Sequence, residues 1–232
     1  MINTKLKQIF IITIFSIIIP FHANAFKLPT VPGISGGDSG GFSLGDGKTE
    51  LVDKFFDSSN NYLNALALLN KALGKNVEAA QIEKAIEYAN DPGIDESDRM
   101  KNSIKTSNEA SKSIETDLNN QGTVITAEGQ VFYAQSLPPA GKGLIGTIQM
   151  IPITKNMVNG IKANPISAVG EIGGLAKVIP NLPSYIQTIQ KTMKLIQSRA
   201  KAEGIDGADD PALEAAEDVS YTHLTLPTIL LV

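Results

Sequence analysis

Few residues in this chain are chemically equipped for catalysis. Its histidines are His22 and His223, and it contains no cysteine and no tryptophan. A thiolate metal site, a disulfide framework and a cysteine nucleophile are excluded together. Carboxylates remain, and a positioned pair of them could hydrolyse a glycosidic bond. Asp91, Asp95, Glu96 and Asp98 cluster where helix ends are predicted, so capping and the helix dipole account for them. Asp209, Asp210, Glu214 and Glu217 fall in a polar stretch. A carboxylate-based hydrolase is therefore only the third functional reading.

Two glycine-rich motifs invite a ligand. Gly141-Lys142-Gly143-Leu144-Ile145-Gly146 matches the dinucleotide-binding spacing. That motif works by joining a strand to a helix, and here two prolines precede it with no strand in view. Lys142 also lacks the glycine that a phosphate loop needs at position 136, which is serine. Gly36-Gly37-Asp38-Ser39-Gly40-Gly41 lacks the alternating acids of a calcium loop and reads as linker. No cofactor and no metal follows from either motif.

A stripe of small residues is more informative. Ala140, Gly143 and Thr147 step at helical spacing, and so do Ser167, Gly170 and Gly174. Glycine costs a helix about 1 kcal/mol relative to alanine, so interior glycines require a reason. Close approach of two helix backbones is the favoured one, and it predicts that leucine at Gly170 or Gly174 destabilises the fold. The alternatives are a flexible hairpin that changes conformation, and contact with lipid or another apolar ligand through the weakly charged region 134–189, which would make the chain a membrane-active or lipid-binding helical protein.

The elements that must position these residues are helical. Leu51, Phe55, Tyr62, Leu66, Leu69 and Leu73 form one apolar stripe, closed by Gly74. Asn76 is expected to cap a second helix ending at Asp91-Pro92-Gly93, and Asp95 a third over 96–119. The third has Met100, Ile104, Ser107, Ser111, Ile114 and Leu118 on its seam and is expected at the edge of the bundle. Its interior serines should either bond back to the preceding turn or leave a thin core. Thr126 should cap a long helix kinked near Pro138 and Pro152, and another should run from Pro165 to near Pro180. The last spans Pro183 to about Ala202, with Gly204 beyond it. The fold class is all-α, a mostly antiparallel helical bundle with proline-kinked long helices and a disordered N-terminal leader.

Both ends of the chain are set apart from that bundle. Lys5 and Lys7, an apolar run from Ile9 to Ile19, and Ala23-Asn24-Ala25 give residues 1–25 the order of a secretory signal peptide. The run is too short for a spanning helix, which needs about 20 apolar residues. Residues 26–47, rich in glycine and proline, read as a flexible leader, 48–203 as the bundle, and 204–218 as an acidic flexible tail. Residues 219–228, Val-Ser-Tyr-Thr-His-Leu-Thr-Leu-Pro-Thr, resemble one translated frame of a transposon-end sequencing adapter. Residues 219–232 are accordingly read as a non-native tail.

Loss of Lys5 and Lys7 leaves 18 basic and 24 acidic residues, a formal charge of −6. Such a balance repels nucleic acid. The leading functional expectation is an exported bacterial envelope protein, periplasmic or secreted, that binds or assembles without catalysis. Its partner is a protein or a lipid, with peripheral membrane contact open; neither the partner nor the oligomeric state is specified by any pattern in the chain.

Overall fold

Ser43 opens the first helix by accepting a hydrogen bond from the Asp46 amide at 3.3 Å. The computed structural model describes residues 43–120 and 122–209. The expected signal peptide, the leader up to residue 42, and everything from 210 onward lie outside the described residues. Among the described residues there are six α-helices, two short 3-10 turns and no strand. The helices are α1 (Leu44–Ala72), α2 (Asn76–Ala89), α3 (Glu96–Asn119), α4 (Ala127–Ala163), α5 (Pro165–Ile172) and α6 (Leu182–Glu203). The 3-10 turns, Gly173–Lys177 and Ile179–Asn181, join α5 to α6.

Cross-helix contacts give the direction of each helix. Lys71 pairs with Glu83 and Asn60 with Asn90, so α1 and α2 are antiparallel. Arg99 Nη1 reaches the Ala89 carbonyl, and Lys75 pairs with Asp117, so α3 turns back along α2. Tyr133 Oη donates to the Ile196 carbonyl at 2.8 Å, while Arg199 Nη2 donates to the Thr123 carbonyl at 2.9 Å. Thus α1, α3 and α6 run one way, and α2 and α4 the other. The core is apolar and continuous: Leu51, Phe55, Leu66, Met100, Ile114, Leu137, Met150, Ile189 and Ile196 are all buried.

Several local expectations change. The leader yields its last four residues to α1, because Leu44 and Gly47 are buried there. Lys75, not Asn76, is the cap residue of α2, and it makes no side-chain capping bond. The third helix does not sit at an edge; α3 packs against α1, α2 and α6. The long helix expected after Thr126 is present, 37 residues with Pro138, Pro139 and Pro152 inside it. The helix expected to reach Pro180 stops at Ile172, because Gly173 adopts φ +57°, a conformation open to glycine and costly for other residues. Gly204 closes α6 in the left-handed conformation, with its amide bonded to the Lys201 and Ala200 carbonyls. Ile205 and Ala208 then turn back and are buried, so the acidic tail begins with packed residues.

Candidate functional site

The first half of the small-residue stripe is a contact between α1 and α4. A Cβ on Gly143 would lie 3.0 Å from both the Cβ and the backbone nitrogen of Tyr62. One on Gly146 would lie 2.9 Å from Ser58 Cβ. Toward the ends of the pair, Gly160 meets Leu44, and Gly129 meets the Ala72 carbonyl. Ala140 and Thr147 are fully buried. The glycine carbonyl joins this contact: Ser58 Oγ and Thr147 Oγ1 each lie 2.7 Å from Gly143 O and 2.7 Å from one another. Two hydroxyl protons serve these three contacts, and both can be donated to the carbonyl. Absence of side chains thus lets the two backbones meet, and the neighbouring hydroxyls bind across the gap.

The second half does not form such a face. Ser167 is on α5, where its amide is capped by Asn164 Oδ1 and its hydroxyl donates to Glu171 at 2.8 Å. Around Gly170, nothing lies within 4 Å of an added Cβ. Gly174 sits in the 3-10 turn, and its Cβ would come within 2.6 Å of Ser97 Oγ. Equal spacing along the sequence therefore covers two different environments. The Gly141–Gly146 motif likewise lies inside α4, with Gly143 and Gly146 turned to α1.

The carboxylates near helix ends are engaged. Asp95 accepts from the Ser97 hydroxyl at 2.6 Å and from the Ser97 amide at 2.8 Å. These bonds hold its carboxyl below the usual range. Asp91 accepts from the Gly93 amide, Glu96 pairs with Lys48, and Asp98 pairs with Lys101. A surface groove of about 410 Å³ lies between α1 and α2, lined by Asp53, Lys54, Phe56, Asp57, Asn60 and Asn90. Its two asparagines bond to each other, and Arg99 stacks on Phe56 at 4.5 Å.

Ser107 and Ser111 of α3 face tyrosines instead of bonding to the preceding turn. Ser103, Ser107 and Ser111, each one turn apart, are fully buried. Tyr62 Oη from α1 reaches Ser111 at 2.7 Å. Tyr185 from α6 brings its hydroxyl beside Ser59 and Ser107, and burial pushes this phenol up to about 12 despite them. Burial also raises Tyr62 and Tyr133 above the ordinary tyrosine range. The serine spacing was visible in the sequence, but its tyrosine partners lie on distant segments.

One surface feature was not read from the sequence. Ile166 is 88% exposed and Val169 55%, on the side of α5 opposite the buried Ala168 and Ile172. Charge is also divided along the chain: residues 43–128 carry nine Lys or Arg against fifteen acids, whereas residues 129–202 carry eight against Glu171 alone. Among the described residues no helix is long and apolar enough to cross a membrane. No family model, curated protein or solved structure matches the chain.

Proposed function

We propose that this chain is exported to the bacterial envelope and acts there by binding or assembly, without catalysis. The observation that carries the reading is the apolar tip of α5, where Ile166 and Val169 face outward while the core residues of neighbouring helices are buried. Large exposed aliphatic side chains on one helix face are a feature of interaction surfaces. Export rests on the Ala23-Asn24-Ala25 pattern that follows the short apolar run.

Fractionation of cells expressing the full chain, with intact mass measured on each fraction, tests the proposal. The expected result is an envelope-associated protein beginning at Phe26. Ile166→Ser/Val169→Ser should move that protein into the soluble fraction without changing its helical content. Cytoplasmic material that retains Met1, or a double variant that stays envelope-associated, overturns the reading.

A further inference from the structure

We infer that the first half of α3, residues 96–108, is a lid that lifts from α1 and α6 while the rest of the bundle stays closed. The two halves of α3 are held differently. In the second half, Ser111 meets Tyr62 Oη at 2.7 Å, and Glu115 accepts from Lys191 at 2.6 Å and from Thr192 at 2.9 Å. Asp117 pairs with Lys75, and Ile114 and Leu118 are buried beside these bonds. In the first half, Arg99 Nε and the side-chain oxygens of Ser103, Ser107 and Asn108 are buried with no hydrogen-bond partner among the described residues. No such atom falls within residues 109–119.

The surface beneath the lid is unmatched as well. Ser59 of α1 and Ser107 both lie beside the Tyr185 hydroxyl of α6, and all three residues are fully buried. None of the three hydroxyls has an aligned partner among the described residues. Water satisfies every one of these groups once the lid lifts, so opening regains hydrogen bonds that the closed seam forfeits. Little apolar burial opposes it: within residues 96–108, Met100 is the one large apolar side chain that is fully buried. The other ties are at the rim, where Glu96 pairs with Lys48 and Arg99 reaches the Ala89 carbonyl and the Phe56 ring. The exposed turn Asp91-Pro92-Gly93 gives the lid a free end from which to peel. A segment with few apolar contacts and unmatched polar groups opens at a lower cost than the whole fold. Lifting uncovers Ser59 and the Tyr185 hydroxyl and leaves the α1–α4 contact in place.

The absence of cysteine supplies a reporter without background. Ser107→Cys places a single thiol under the lid, and Ser136→Cys places one at a fully buried position on α4. In the full chain under native conditions, a thiol reagent should label position 107 about a hundredfold faster than position 136. The rate at 107 should respond only weakly to low urea, because lifting exposes less surface than unfolding. Hydrogen exchange of the unsubstituted chain, read by mass spectrometry, checks the same order without any replacement: amides of 96–108 should exchange about tenfold faster than those of 111–119. Adding Ser103→Ala to Ser107→Cys should slow labelling about fivefold, since it removes an unmatched hydroxyl from the closed state. Lys105→Ala, at an exposed position on the same half, should change it by less than about twofold. Equal labelling at 107 and 136 with the same urea dependence, or equal protection of the two halves of α3, overturns the inference. Faster labelling after Ser103→Ala would show that hydroxyl to be bonded in the closed state, and would overturn it as well.

Discussion

Gly143→Leu should lower the melting temperature by roughly 4–8 °C, the largest loss expected from any single change in the small-residue stripe. The added side chain has nowhere to go. Its first carbon would already touch the Tyr62 backbone, which belongs to a helix and cannot rotate aside as a side chain could. Overpacking typically costs about 1–3 kcal/mol, and here it also pulls the Gly143 carbonyl away from Ser58. A total near 3 kcal/mol outweighs the gain of about 1 kcal/mol that replacing a helical glycine brings. Gly170→Leu should behave in the opposite way, with an unchanged or higher melting temperature, because that position is open. Thermal denaturation of the two variants beside the parent protein checks both signs. Equal losses at the two sites would refute this division of the stripe.

Raising the pH through 10 to 12 should unfold the protein in one cooperative step. Tyr185 ionises near pH 12 in the folded state and near 10 when unfolded, so the fold favours its neutral form. The associated stability is complete below pH 10 and is lost as the pH climbs toward the folded value. A difference of two units is worth about 3 kcal/mol from this one phenol. Tyr62 and Tyr133 are shifted in the same direction by burial and add to it. Domains are stable by only about 5–15 kcal/mol, so the combined loss is decisive. Phenolate absorbance should therefore rise together with the loss of helical circular dichroism. Tyr185→Phe should move the transition to higher pH with little cost at neutral pH, since this hydroxyl makes no well-aligned hydrogen bond. Tyrosines that ionise gradually while the helices persist would contradict the expectation.

Local chemistry was the most legible part of the fold. Asp95 and Thr126 cap their helices through side-chain bonds, and Gly204 ends α6, as residue type and position imply. Tertiary packing overrode propensity at the start of α1, where Gly45 and Gly47 lie inside a helix held by Ser43 and by Leu44 against Gly160. Periodicity was less informative about cover. Gly143 and Gly170 share the same small-residue spacing, yet only Gly143 has a neighbouring helix, because spacing names a face and not what lies upon it. Ile166 and Val169 were hidden for a related reason: an isolated apolar residue in a sequence reads as core. α5 is apolar on both sides, and only the fold shows which side is left outside.

Ser58 and the carbonyl it binds are 85 residues apart along the chain, with α2 and all of α3 between them. Assembly of the main helix pair is therefore a late event in synthesis. Until α4 has been made, α1 has only α2 and α3 against which to bury its apolar stripe. Partners so distant in sequence raise the contact order and slow the final collapse. Under the proposed export, this delay would keep the polypeptide threadable until α4 had followed α1 through a translocation channel.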